Sequence, residues 1–468
     1  MNRVILALLL LFSFHHPYCQ GIEEFISQGI SNSYQIRLAK NELQIAEAAF
    51  SIYRVAARPT LNINGNIPAY NKDYSGIIQP DGTIKFLRRS QNYSNAGFSI
   101  AQPLPFTGGT LSLNTDLYRF DDLVAKNKQY NGTPAFLQLQ QPLFAYNRFK
   151  WDKQIEPLKL QEAKLNLALQ TNQFSYDVCR VFFDVLDAQS NRQLAAVNLD
   201  NAVVNLTQEK RKLQLGTSAE DKVLQLEIQQ LNSQREIEAA ELAIQSAFAG
   251  LRLIVNNKDT LTYELRVPES LPILQLNREQ LIEEAKKQLP VYISFQRKLL
   301  EAKSNTAQVK AQNNQVNLMA SYGLTNSAGS VPGIYQNPND QQRFSIGFSV
   351  PLITWGKKKN SITAARLQEK QVELNNKAEE AKLVAEITSI LNELPLLQKN
   401  VASAKRIDTL TQKRYIVANR LFQTGKTSLL ELQAAQTEKD NARRNYLLAL
   451  RRFWEGWYLV KAKINTVN

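Results

Sequence analysis

Gln141-Pro142-Leu143-Phe144 opens a stretch that runs, nearly free of glycine and proline, to the lone glycine of Leu215-Gly216-Thr217-Ser218. Val350-Pro351-Leu352-Ile353 opens a second such stretch, which ends at Thr424-Gly425-Lys426-Thr427. Each takes 74 positions from its proline to its glycine, and the second starts 209 positions after the first. The Pro-Leu-apolar tripeptide reads as a strand end, the stretch after it as one long helix, and a further helical pattern follows each glycine. Two copies of so long a unit argue an internal duplication in which helix length matters. At 1.5 Å per residue each helix is about 100 Å long. A globular domain has no use for that length, whereas a conduit has.

Around these two stretches the chain changes character in a fixed order. Residues 22–57 carry a helical apolar stripe (Leu38, Leu43, Ile45, Ala46, Ala49, Ile52). In 58–145 proline, glycine, asparagine and tyrosine rise, and alternation appears, as in Leu61-Asn62-Ile63-Asn64, Phe98-Ser99-Ile100 and Leu111-Ser112-Leu113-Asn114. Period two predicts strands with one apolar face. Helix follows over 147–215 and 217–256, then a proline-containing linker over 257–276. The plan repeats in 277–468: a helix interrupted near Pro290, a β segment over 317–353, a long helix over 357–424 and a last one over 428–464. The opening helices align at an offset near 256, so the first half, 21–276, carries about 47 additional β residues. That is enough for one more hairpin, with Gly108-Gly109 as its tight turn. The expectation is four strands in the first half and two in the second. Nine of fourteen positions at 3-4 spacing from Trp151 to Val197 are apolar, which suits a coiled-coil seam. Pro157 and Pro395 would mark kinks or helix joints.

Residues 1–20 read as a signal peptide. Arg3 supplies the positive start, and the apolar run Val4 to Phe12 is too short to span a bilayer. A lipid-anchored Cys19 is the alternative, but Tyr18 and His16 stand where a small residue and a leucine would be needed. With the signal gone, Cys179 is the one remaining cysteine and no histidine is left. The commonest catalytic base and metal ligand is therefore missing. No paired acidic motif at strand ends suggests carboxylate chemistry, so the expectation is no catalytic residue, no metal, no cofactor and no enzyme. The net charge of +14 would suit nucleic acid. The export signal and the lack of a recognisable motif argue against such a partner.

No later run reaches 18 apolar residues, so any membrane insertion must use strands. Four to six strands cannot close a barrel, and open edges are not allowed in a bilayer. The strands must close with copies of themselves. A homotrimer would give a barrel of 12 strands if the additional hairpin lies outside it, or 18 if it inserts. The strand-to-helix junctions support a membrane boundary. Arg148, Lys150, Trp151 and Lys153 stand at the first, and Trp355, Lys357, Lys358 and Lys359 at the second. Aromatic rings and snorkelling cations suit a lipid–water interface, with lipid headgroups as partners. Lysines that open a helix otherwise oppose its dipole.

Gln141-Pro142-Leu143-Phe144 and Val350-Pro351-Leu352-Ile353-Thr354-Trp355-Gly356 resemble the strand ends of the TolC family of outer-membrane efflux channels. Leu421 to Gln436, with Gly425-Lys426-Thr427-Ser428 and Glu431, is similar to that family's helix hairpin, and Leu215-Gly216-Thr217-Ser218 repeats it more weakly. The resemblance covers essentially the whole mature chain, in order, twice. It implies an α+β membrane protein of Gram-negative type. A trimeric outer-membrane β-barrel would continue into a periplasmic α-helical coiled-coil barrel. It implies the exit duct of a tripartite efflux or type I secretion-like system. The hairpin tips (Leu215, Gly216, Thr217, Ser218, Thr424, Gly425, Lys426 and Thr427) would dock a periplasmic adaptor coupled to an inner-membrane pump of the RND, ABC or a similar class. Glu431 matches an acidic position that constricts the closed tunnel in some members. The second acidic position is Ala434 here, and the additional β segment departs from the simplest family plan. The competing reading is a periplasmic adaptor, which carries one hairpin between β domains rather than two around amphipathic strands.

Overall fold

The computed structural model describes residues 21–257, 264–272, 277–312 and 315–464. The expected signal peptide, with Cys19, and parts of the 257–276 linker lie outside the described residues. Two units are distinguished. One is helical and takes in Met1–Gln44, Glu162–Tyr292 and Glu379–Asn468; the other comprises Ile45–Gln161 and Ile293–Ala378 and contains the sheet.

The first helical pattern is two helices, α1 (Ile22–Asn32) and α2 (Tyr34–Val55). Ser33 separates them with an extended backbone. Its hydroxyl accepts from the Ile36 amide at 3.3 Å, so a short polar side chain restarts the helix by capping it. The long helices are α3 (Arg148–Gln214) and α8 (Lys357–Gln423), 67 residues each, and they are followed by α4 (Glu220–Val255) and α9 (Leu429–Ile464), 36 residues each. Pro157 and Pro395, expected to mark kinks or helix joints, each lie inside one continuous helix, so neither is a joint. Leu391 and Leu394 before Pro395 and Val401 after it are buried, so packing carries α8 across the lost hydrogen bond. In the second half α5 (Arg278–Gln288) and α6 (Pro290–Ala311) meet at Leu289, which has an extended backbone.

The core of the helical unit holds an aromatic cluster. Phe174, Phe182, Phe183 and Phe453 are fully inaccessible. Phe25 and Phe182 lie 6.0 Å apart between ring centres, and Phe182 meets Phe183 edge-on at 5.9 Å. Cys179 is buried in the same cluster, and that burial pushes its thiol well up from the usual range. It behaves as a small apolar residue. Trp454 donates its indole N–H to the Pro268 carbonyl at 3.0 Å, which ties the linker to α9.

The sheet has five strands from the first half, one more than expected. They are β1 (Thr60–Asn66), β2 (Tyr70–Ile78), β3 (Ile84–Leu104), β4 (Gly109–Asp122) and β5 (Asn127–Leu143). The second half adds β6 (Gln315–Ala328) and β7 (Asn339–Ser349), with the short helix α7 (Val331–Ile334) between them. The order is β1-β3-β4-β5-β6-β7, antiparallel throughout, and β2 also pairs with β3. β1 takes the Asn95–Ala101 part of β3 and β2 takes Ile84–Asn92. The two lie end to end in one lane, interrupted at the cis Ile67-Pro68 bond. The sheet therefore has six lanes. Gly108, at φ 75°, closes the β3–β4 turn, and its amide donates to the Leu104 carbonyl at 2.8 Å.

Directly opposed residues share a face of a sheet. One row reads Leu61, Ile100, Leu113, Leu137 and Tyr322 across five lanes; Phe344, Ile346 and Phe348 continue that face on β7. The opposite row reads Asn62, Ser99, Asn114, Phe136, Gly323 and Gln341. One face is thus apolar and exposed, and the other is mostly polar.

Phe182→Ala should lower the thermal midpoint of the helical circular-dichroism signal. A phenylalanine removed from a closed core costs about 3–5 kcal/mol. A midpoint within a degree of the parent's would show that the aromatic cluster does not hold the helical unit.

Candidate functional site

Two regions carry the residues singled out by the sequence. In the helical unit they lie at the hairpin tips. α3 ends where Gly216, at φ 70°, turns the chain out of the helix. The Gly216 amide donates to the Leu213 carbonyl at 3.0 Å and the Thr217 amide to the Lys212 carbonyl at 2.9 Å. α8 ends in the same way. Gly425 has φ 72°, its amide donates to the Phe422 carbonyl at 3.0 Å, and the Lys426 amide donates to the Leu421 carbonyl at 2.9 Å. This pair of bonds is the Schellman C-cap, which asks for a left-handed residue after the last turn and so selects glycine. A Cβ at either position would meet nothing within 4 Å, so the requirement is conformational and not one of space.

Leu215, Gly216, Thr217, Thr424, Gly425 and Lys426 are exposed, while Ser218 and Thr427 are half-buried. Leu215 is 78% exposed, an apolar side chain at the tip. The tips are braced from inside. Leu206, Val223, Leu226, Phe422, Leu429 and Leu432 form one buried cluster that joins both hairpins, and the Lys212 ammonium lies 5.6 Å above the Phe422 ring.

Glu431 is exposed in the first turn of α9. Its amide donates to the Ser428 hydroxyl at 3.2 Å, and its carboxylate accepts from Thr427. Ser428 and Glu431 thus make the Ser-x-x-Glu spacing of a helix start. This local duty suffices to explain an acid at 431. The first tip uses another acid. The buried Glu209 carboxylate accepts from the Ser218 hydroxyl and pairs with Lys212 at 3.1 Å. Burial opposes its ionisation, but the Ser218 and Lys212 bonds outweigh that and hold it below the usual carboxylate range.

Sequence reasoning passed over a buried polar knot between α3, α8 and α9. Asn198 donates to Asp440 at 2.7 Å, Lys439 donates to Asn198 at 3.2 Å, and Lys439 pairs with Asp440 at 3.1 Å. The Lys439 ammonium also lies 4.4 Å above the Tyr415 ring. Burial and the Asp440 charge push the Tyr415 phenol up to about 12. Lys439 is a buried charge on α9. Its partner Asn198 is 241 positions away, so no local pattern could have exposed the pair.

The second region is the pair of strand-to-helix junctions beside the sheet. The two tryptophans do not occupy matching places. Trp151 is inside α3 and half-buried, whereas Trp355 precedes α8 and is 94% exposed with φ 48°. The structural counterpart of Trp355 is Phe144, 86% exposed with φ 58°. Phe106, in the β3–β4 turn, is wholly exposed. The ring-bearing positions are therefore Phe106, Phe144 and Trp355. Asn147 caps α3 by accepting from the Lys150 amide at 3.4 Å, and it donates to the Pro105 and Phe106 carbonyls at 2.8 and 3.1 Å. Of the cations, Arg148 pairs with Asp152 at 2.9 Å. Lys150, Lys153, Lys357 and Lys359 are exposed, and Lys358 is half-buried.

Glu209 should make the first tip acid-sensitive. A carboxylate whose folded pKa is lowered stabilises above its ordinary value of 4.5, and that stabilisation is lost as pH falls through the lowered value. Amide protection factors at Gly216, Thr217 and Ser218, corrected for intrinsic exchange, should drop as pH falls below 4.5 and should be flat in Glu209→Gln. The same acid-dependent loss in that variant would exclude Glu209 as the cause.

Residues 296–453 match the family described as Outer membrane efflux protein. No curated protein matches the chain in sequence. Among solved structures, the chain is similar to CusC (15% identity, TM-score 0.68), covering 95% of this chain and 91% of that one. It is similar to the Campylobacter jejuni CmeC outer membrane channel (12% identity, TM-score 0.68, 95% and 85% covered). It is also similar to the outer membrane protein VceC of Vibrio cholerae (12% identity, TM-score 0.67, 95% and 96% covered). At these identities the structures speak for the fold alone, and the family match covers residues 296–453, about a third of the chain. Together they show that the chain has the fold of these outer-membrane channels and that residues 296–453 match the outer membrane efflux protein family.

Proposed function

We propose that the protein is the outer-membrane exit duct of a tripartite efflux or type I secretion-like system. It works as a homotrimer and passively exports what an inner-membrane pump and a periplasmic adaptor deliver. The observation that carries this reading is the two-faced sheet. An exposed apolar face, from Leu61 to Phe348, lies opposite a mostly polar face. That arrangement suits lipid outside and water inside, and β-sheet crosses a membrane only as a closed barrel. A periplasmic adaptor has no use for an exposed apolar face of that extent, so the adaptor reading is the weaker one.

The adaptor docks at the two hairpin tips, through Leu215 to Ser218 and Thr424 to Thr427. Both tips end in the same cap and expose similar backbone, so one adaptor surface could read either. Glu431, one turn into α9, faces the tunnel constriction. The belt of Arg148, Lys150, Trp151, Lys153, Trp355, Lys357, Lys358 and Lys359 meets lipid headgroups, with Phe106 and Phe144 beside it. The duct supplies no reacting group. Its selectivity comes from lining charge and from opening of the tips.

Gly425→Pro tests the docking role. Proline holds φ near −65° and has no amide hydrogen, so it forfeits both the left-handed turn and the bond to Phe422. Export should fall by about tenfold, the equivalent of about 1.4 kcal/mol of docking free energy, while the trimer stays assembled in the membrane. Full export by intact Gly425→Pro trimers would exclude the tips as the docking site.

A further inference from the structure

The base of β3 holds a third copy of the strand-end pattern that opens the two long units. Gln102-Pro103-Leu104 matches Gln141-Pro142-Leu143 residue for residue. The two glutamines also do the same work. Gln141 donates to the carbonyls of Pro142 and Thr107 at 2.9 and 3.0 Å. Gln102 donates to those of Pro103 and Ala57 at 2.6 and 2.8 Å. Each pins the foot of its strand to the foot of the next lane. After the third copy the chain does not enter a helix. It turns back at Gly108 and rises as β4. Phe106 in that turn is as exposed as Phe144 and Trp355, and Asn147 bonds the turn to the start of α3. The β3–β4 hairpin therefore ends level with the first strand-to-helix junction.

The hairpin cannot be an ornament outside the sheet. β1 pairs with β3 and not with β5, and β5 pairs with β4 and β6. Removing β3 and β4 from the wall would leave β1 without any partner in its own chain. The hairpin also follows the two-faced pattern. Ile100 and Leu113 oppose one another on the apolar face, and Ser99 and Asn114 oppose one another on the polar face.

We propose that all six lanes enter the membrane and that three copies close an 18-stranded barrel, β7 of each copy pairing with the β1–β2 lane of the next. This rests on the trimeric-duct reading above. Six is even, so the outer lanes β1 and β7 run in opposite directions, and their junction continues the antiparallel order without a break. The apolar rows of β7 (Phe344, Ile346) and β1 (Leu61, Ile63) then meet on one side of the wall. With strands spaced about 4.8 Å apart and tilted about 40°, eighteen strands make a backbone cylinder about 36 Å across, against about 24 Å for twelve. A bore of that width does not sieve small solutes, so the membrane section leaves cargo selection to the helical tunnel.

Single cysteines at Ile100, Leu113, Ser99 and Asn114, spin-labelled in the full-length protein in lipid vesicles, test this. Native Cys179 is buried and stays unlabelled. Labels at Ile100 and Leu113 should relax several-fold more with lipid-soluble oxygen than with a water-soluble nickel chelate, and those at Ser99 and Asn114 the reverse. Preference for the nickel chelate at all four would overturn the proposal. Native mass of the same samples separates the two failures. Three copies with four aqueous labels reject the 18-strand closure alone, and any other copy number rejects the duct reading beneath it.

Discussion

Everything in this protein depends on where the backbone N–H and C=O groups of the sheet find partners. Inside a bilayer an unpaired peptide group costs several kcal/mol, and a sheet edge is a row of them. Among the described residues the sheet has six lanes and leaves two outer ones, the β1–β2 lane and β7. Alternation of apolar and polar residues makes the sheet two-faced, but it cannot satisfy those outer lanes. Other copies of the chain can. In the proposed duct, oligomerisation is therefore a condition of membrane insertion and not an addition to a finished fold.

The helical unit answers a different constraint. α3 and α8 have equal length, and the helices returning from the tips are equal too. Both tips end in the same left-handed glycine with the same two backbone bonds. Equal reach follows if two hairpins of one chain must present the same cap to the same kind of partner. The buried Asn198–Lys439–Asp440 knot is expensive to desolvate and strongly destabilising to break by halves. It lies between long helices that could otherwise slide along their apolar seams.

Much of this was legible in the sequence because it is periodic or local. The period-two runs at Leu61, Phe98 and Leu111 predict strands, and Gly216 and Gly425 mark helix ends because only glycine adopts that backbone cheaply. The additional hairpin was countable from the unequal offsets of the two halves. Its place in the wall was not, since hydrogen-bond register between β1 and β3 or β4 and β5 leaves no local trace. The separation of β1 from β2 around Ile67-Pro68 likewise went beyond the four strands expected in the first half. Trp151 and Trp355 looked equivalent by composition, yet the matching positive-φ position in the first half is Phe144. Lys439 gave no signal because its partner Asn198 comes from the other repeat.

The central claim is that the sheet closes only between copies, with every lane in the wall. Electron cryomicroscopy of the detergent-purified protein, sectioned through the barrel, tests it most directly. The account predicts eighteen strands in three repeats of six, with β7 of one copy beside β1 of the next. A section with twelve strands and the β3–β4 hairpin outside the wall, or a barrel closed within one chain, would contradict it.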